Sequence, residues 1–315
     1  MRLTRTGVGH GTSFVNENEL DEVRTIEDGF RKAYSGDQRG TIEAINRLRD
    51  FVFQLIHLDA NAENELDLKA LIISIGDIAR VAAEKEMQQA CAVSCYVLGD
   101  IVFEAASQKR ETIAIKALSI IGSLAQEIAE KGLDTAAKSA AESLGNCGKN
   151  SSRMKMETLV SLSEVYLMQV ALKSIEKGLP YAGIAAIDFL GEIGVASAEQ
   201  EIESNALEAA VILEDLGNAV IRRENSESHA KAIIEALENL GKAVSQRGMR
   251  NVIIQIAWSL ETIRVLTLER GMKGACFAAK AALESVNTAG LLDEVQNLEK
   301  IREIKELHSI ILRKR

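Results

Sequence analysis

Residues able to do chemistry are few in this 315-residue chain, and they are widely spaced. Cys91 and Cys95 lie four positions apart, which suits two ligands of one metal on a helix, but no histidine or further cysteine is near them. We therefore interpret both as small core residues. No histidine sits beside a Ser or Cys in an arrangement that suggests nucleophilic catalysis: His10, His57, His229 and His308. The sequence predicts no catalytic residue, no metal site and no cofactor.

A glycine- and hydroxyl-rich stretch, residues 6–13, superficially resembles a phosphate-binding loop. It has no preceding strand and no lysine before its hydroxyls, both of which such loops need. We predict instead that residues 1–20 form a flexible N-terminal arm.

Composition favours helices. The chain is 47% apolar but only 4% aromatic, and it contains a single proline. This balance suits α-helices and disfavours β-sheets, so the predicted fold class is all-α. The net charge of −9 disfavours a general nucleic-acid binder, because phosphate attraction needs clustered Lys and Arg.

A repeat of 23 residues runs through most of the chain. Steps of this length from Gly76, with one inserted residue before Glu238, reach the positions that we call markers: Gly76, Gly99, Gly122, Gly145, Met168, Gly191, Glu214, Glu238, Glu261 and Glu284. The residue before every marker is aliphatic, and the residue two places after it is also apolar. Further apolar columns complete a stripe with spacings of three and four, which predicts one α-helix per unit.

Short breaks separate the predicted helices. Gly132 is suited to the left-handed backbone conformation that often ends an α-helix. Asp134 or Thr135 is suited to the N-cap of the next helix, and Pro180 is suited to the first position of a helix. Short breaks make neighbouring helices antiparallel, so we predict a solenoid, an α-α superhelix of about 12 or 13 helices. Glycine inside a helix is unfavourable, and we interpret the recurrent marker glycines as points of close helix packing.

Two units make a helical hairpin of 46 residues, within the range of HEAT and armadillo repeats. Segments 117–122 and 236–241 carry the small-Leu-x-x-Leu-Gly pattern, and in this respect the chain resembles the HEAT/armadillo-like α-solenoid superfamily. The resemblance implies the fold and transfers no functional residue, since the kinking proline and the regular Asp and Arg of HEAT units are missing.

These patterns predict three regions: the arm at 1–20, a HEAT-like repeat domain at 21–290, and a capping helix with a basic tail at 291–315. Residues 297–315 carry six bases and three acids. Charged residues interrupt the apolar runs, so we expect no direct membrane insertion. Four scattered cysteines and no recognisable leader lead us to expect a cytoplasmic protein.

Two surface features bear on binding. The residue after each marker is polar and never Lys or Arg, which fits either ordinary solvation or a hydrogen-bonding ladder for an extended partner. Alternate helices carry additional apolar residues, which fits either an inner layer wedged between neighbours or a partner groove. The candidate partner-binding residues are Val165, Gln169, Leu207, Val211, Asp215, Ile254 and Trp258.

We interpret the protein as a non-catalytic scaffold that binds a protein partner along a solenoid groove. One alternative is a nucleic-acid-binding repeat protein that uses the basic tail, which the acidic body disfavours. A less favoured alternative is an α/α-toroid enzyme, which the low aromatic content disfavours. The sequence leaves homo-oligomerisation open.

Overall fold

The computed structural model describes residues 17–58, 62–223 and 227–287, which are helical apart from short connections and contain no strand. The helices are α1 (Glu17–Ser35), α2 (Gln38–Ile56), α3 (Ala62–Glu84), α4 (Gln88–Ser107), α5 (Glu111–Glu130), α6 (Asp134–Arg153), α7 (Glu157–Lys177), α8 (Pro180–Glu199), α9 (Glu203–Arg222), α10 (Glu227–Gln246), α11 (Arg250–Glu269) and α12 (Lys273–Asn287). The predicted all-α fold and helix number are therefore confirmed.

The helices form two layers. Each helix packs against its neighbours in sequence and against the helix two places away, so the odd-numbered helices make one layer and the even-numbered helices the other. Among the described residues, no substantial contact joins α1 or α2 to α11 or α12. This part of the chain is an open solenoid, not a closed ring.

The core lies between the layers and follows the predicted columns. The residue before the marker is fully buried in nine of the ten helices from α3 to α12, and only Leu283 of α12 is partly exposed. α1 begins at Glu17, before the repeat-domain boundary predicted at residue 21. The rest of the predicted arm and the predicted capping helix lie outside the described residues.

Connections of two or three residues repeat along the array. The last residue but one has a left-handed conformation, and the backbone N–H of the last residue donates to the carbonyl five residues earlier, as Leu133 does to Ile128 (3.2 Å) and Leu179 to Ser174 (2.8 Å). These bonds satisfy carbonyls at the helix end and hold consecutive helices antiparallel. The left-handed residues are Gly36, Glu86, Lys109, Gly132, Lys155, Gly178, Glu201, Gly248 and Gly271.

The predicted roles of Gly132 and Pro180 at these connections are confirmed, but the predicted cap is wrong. The N-cap of α6 is Leu133, whose side chain packs in the core and caps nothing. Asp134 instead accepts a hydrogen bond from the backbone N–H of Ala182 in α8 (2.8 Å). The carboxylate therefore caps the parallel helix next to its own, because the even helices begin at one edge.

Marker glycines lie at contacts within a layer, as predicted. A methyl group added to any of them would overlap a residue 44 or 45 positions further on, in the next helix of the same layer. At Gly191 the added carbon would lie 3.1 Å from the Ala236 Cα, so there the two backbones themselves come close. The pairs are Gly76 with Ile120, Gly99 with Ser143, Gly122 with Tyr166, Gly145 with Phe189 and Gly191 with Ala236.

Three helices are long and apolar enough to cross a membrane by length and composition alone: Gln88–Ser107, Glu111–Glu130 and Pro180–Glu199. The expectation that charges interrupt every apolar run is therefore wrong for these helices, because each contains an apolar stretch of 18 residues with at most two Asp, Glu, Lys or Arg. The buried share of this stretch ranges from 56% to 67% among the three helices. Packing between helices accounts for this apolar character, and the absence of membrane insertion stays a prediction.

Gly122→Ala should destabilise the protein by about 1 to 3 kcal/mol, because the new methyl overlaps the Tyr166 ring. With Tyr166→Ala already in place, the same change should be neutral or stabilising by up to about 1 kcal/mol, since alanine is the better helix former. Denaturation midpoints of the two single variants and the double variant measure this coupling. Additive effects would contradict the contact.

Substitutions at two equivalent left-handed positions in the connections should change stability in opposite directions. Lys155 has φ 57° and should be strained, so Lys155→Gly should stabilise by about 0.5 to 1 kcal/mol. Gly178 has φ 68°, and Gly178→Ala should destabilise by about 1 kcal/mol although its added methyl meets open space. Thermal melts of both variants test this, and shifts of the same sign would contradict it.

Candidate functional site

The seven candidate partner-binding residues lie on three successive helices of the odd layer. Val165 and Gln169 are on α7, Leu207, Val211 and Asp215 on α9, and Ile254 and Trp258 on α11. Val211 is 41% exposed, and Trp258 is half-buried. The structure thus brings the predicted residues to one layer, and their binding role stays a prediction.

Two clefts lie on the other layer. One of about 560 Å³ spans α6, α8 and α10, and one of about 360 Å³ lies between α4 and α6. A third, of about 500 Å³, lies between α1 and α2. None of the seven candidate residues lines these three clefts.

The even helices in the middle of the array pack together more closely than the odd helices. This holds for every neighbouring pair of even helices from α4 to α10. Glycine and alanine at the contacts, such as Gly191 against Ala236, permit this approach. Helices that lie closer together are expected on the inner side of a curved stack, so we infer that the even layer is the inner one and the apolar-rich odd layer the outer one.

The larger cleft is lined by charged side chains. Lys149 of α6 donates to the Glu192 carboxylate of α8 (2.6 Å), and its Nζ lies 4.8 Å from the centre of the Phe189 ring. Asp188 and Glu235 add two carboxyl groups on the same side. Burial, together with the charges of Glu235 and Glu192, raises the pKa of Asp188 to about 6.

The smaller cleft combines aromatic and acidic side chains. Tyr96 and Phe103 of α4 are 41% and 46% exposed. The Tyr96 hydroxyl donates to the Glu142 carboxylate of α6 (2.5 Å). Burial raises the pKa of Asp100, against the opposing charge of Arg49. Together the two clefts give the inner face an acidic, aromatic character from α4 to α10, which suits cationic side chains.

The polar column after the marker is partly used inside the protein. A donor four residues after one marker reaches this column in the next helix of the same layer, so these side chains stabilise neighbouring helices. Gln169, a candidate binding residue, accepts one such bond. The bonds run from Arg80 to Ser123 (2.9 Å), Gln126 to Gln169 (2.6 Å) and Lys149 to Glu192 (2.6 Å).

The predicted core role of the cysteines is confirmed for Cys91, Cys95 and Cys147, which are buried. Burial raises the pKa of Cys91 and of Cys147 to about 12. Thiols of this kind stay protonated near neutral pH and are poor nucleophiles.

Sequence reasoning missed a buried carboxyl group. Glu164 of α7 is fully buried, four residues before its marker. A signal was present, because that column otherwise holds buried apolar residues from α3 to α11: Ile72, Cys95, Leu118, Ala141, Ile187, Ala210, Ile234 and Ala257. A charged residue in an apolar repeat column is a departure that carries information about the site.

Comparisons with known proteins add little. No family model matches the chain, and no curated protein matches it. One solved structure, described as "Circular tandem repeat protein with novel repeat topology and enhanced subunit contact surfaces", aligns at a TM-score of 0.41 and 15% identity, over 91% of this chain and 79% of that one. The assignment of this chain as an all-helical tandem repeat rests on its own helices and their contacts.

Proposed function

We propose that this protein is a non-catalytic scaffold that holds an extended segment of a partner protein along its inner face. The observation that carries the proposal is the pair of clefts on one face of consecutive even helices. A solenoid presents such a continuous surface without needing a deep pocket.

The chemistry of the face supports a partner segment that carries Lys or Arg. Four carboxyl groups line the larger cleft against two cationic side chains, Lys149 and Arg153, and exposed aromatic rings line the smaller one. Carboxylates pair with cationic groups, and aromatic faces attract them. The net charge of −9 adds long-range attraction for such a partner.

The outer, odd layer is the second candidate surface. Val211 on α9 and Ile73 on α3 are 41% and 38% exposed on that layer, and Trp258 on α11 is half-buried there. Exposed apolar side chains beside a large aromatic are common at protein interfaces. We include this surface as an alternative because its composition differs from that of the inner face.

A partner captured by affinity purification from the native host would separate the two surfaces. The inner-face variant Asp188→Asn/Glu235→Gln should weaken its binding at least tenfold in titration calorimetry. The outer-face variant Val211→Asp should leave binding unchanged. The reverse result would assign binding to the odd layer, and salt-sensitive binding of DNA or RNA would favour the nucleic-acid alternative.

Binding of a cationic partner should depend on pH. Since the pKa of Asp188 is about 6, its carboxyl group is charged at pH 7.5 and largely neutral at pH 5. Affinity should therefore fall as pH drops through about 6, and Asp188→Asn should reduce that dependence. An equal pH dependence in both proteins would remove Asp188 from the binding surface.

Trp258 tests the outer surface directly. Its half-buried ring should be partly quenched by acrylamide in the free protein. If the outer layer binds the partner, the complex should suppress quenching, and Trp258→Ala should weaken binding by about 2 kcal/mol with helical content unchanged. If the partner binds the inner face, quenching should stay the same and the variant should bind normally.

A further inference from the structure

Two buried polar side chains lie between α7 and α9, and three of their oxygen atoms have no hydrogen-bond partner. Glu164 of α7 is fully buried, and neither of its carboxyl oxygens has a partner. Asn205 of α9 is 1% exposed, and its Oδ1 has none either. Buried acceptors without donors are unfavourable, so this arrangement requires a donor.

A short relay determines which way the Asn205 amide points. Ser161 donates its single proton to the Glu208 carboxylate (2.7 Å) and therefore accepts from Asn205 Nδ2 (3.0 Å). One of the two Nδ2 protons of Asn205 is thus used on the Ser161 side, and its Oδ1 has no donor. The Asn205 side chain lies beside the Glu164 carboxyl group, and its amide favours the charged form of that group.

A charged Glu164 would be unfavourable in this place. Burial raises the pKa of Glu164 well above its ordinary value, the charge of Glu208 raises it further, and the Asn205 amide opposes this only in part. Among the described residues of the helices packed against α7, Glu208 is the charged group that acts on Glu164. A proton on Glu164 removes the unfavourable charge and supplies the missing donor.

The surrounding contact is weaker than the contacts on either side of it in the same layer. α7 packs against α9 less extensively than α5 packs against α7 or α9 against α11. At this place the marker is Met168 instead of glycine, and the relay of polar groups replaces part of the apolar core.

We propose that the contact between α7 and α9 is a proton-linked joint, in which protonated Glu164 donates to Asn205 Oδ1 and loss of the proton loosens the outer layer at mid-array. The joint makes the stiffness of the solenoid depend on pH. It is independent of which face binds a partner.

Glu164→Gln is the direct test, because the amide has the same shape, donates a hydrogen bond and does not titrate. The unfolded chain releases the Glu164 proton near pH 4.5, before the folded protein does, so wild-type stability should fall as pH rises above that value, up to the folded-state pKa. The melting temperature of Glu164→Gln should exceed that of the wild type increasingly from pH 5 to pH 9. In the wild type, amide hydrogen exchange in α7 and α9 should accelerate with pH by more than the intrinsic exchange rate does. In Glu164→Gln it should follow the intrinsic rate.

Two further variants control the test. Glu157→Gln, exposed at the first turn of α7, should follow the wild-type pH profile. Glu208→Gln removes the neighbouring charge while its amide oxygen still accepts from Ser161, so it should narrow the pH range over which stability falls. It also keeps the proposal testable if Glu164→Gln fails to fold.

Three results would overturn the proposal. One is that the melting temperatures of wild type and Glu164→Gln change in parallel with pH. Another is that stability falls over the same pH range in Glu208→Gln as in the wild type. Either of these results would show that no proton is held at the joint. A rise in wild-type melting temperature with Ca²⁺ or Mg²⁺, absent in Glu164→Gln, would show that a cation fills the cluster instead.

Discussion

Close contact between each helix and the next one in its own layer sets the geometry of the whole array. At five markers a glycine makes room for a side chain 44 or 45 residues further on. Because the contact repeats at one column, each helix is placed by the one two positions before it. The curvature, the clefts of the inner face and the hydrogen bonds that cross between parallel helices all depend on this spacing.

The repeat was readable from the sequence because burial is periodic in a solenoid. The aliphatic column before the marker, from Ile75 to Leu260, is fully buried in every helix from α3 to α11, so a local pattern reports a global arrangement. Which layer lies on the inner side of the curve could not be predicted in the same way. It depends on the difference in packing between two layers, and each layer looks amphipathic by itself.

Features that depend on pairs of residues far apart in the sequence could also not be predicted from it. The bond from Lys149 to Glu192 joins residues 43 positions apart, and the capping of α8 by Asp134 joins residues 48 positions apart. The buried Glu164 differs, because its column is otherwise apolar and the departure was visible in the sequence.

His229 also has both ring nitrogens buried without partners, and burial lowers its pKa against the charge of Asp134. Its contribution to stability is lost as pH falls below about 6.5, whereas that of Glu164 is lost as pH rises above about 4.5.

The alternation of layers limits how such a chain can change in length over evolution. Removing one 23-residue unit would move every downstream helix into the opposite layer, so that the apolar-rich helices would face the inner side and each glycine would meet the wrong partner. Removing two units, 46 residues, returns each helix to its own layer and each glycine to a matching contact. Gain and loss of repeats should therefore proceed by helical hairpins, and the array grows or shrinks two helices at a time.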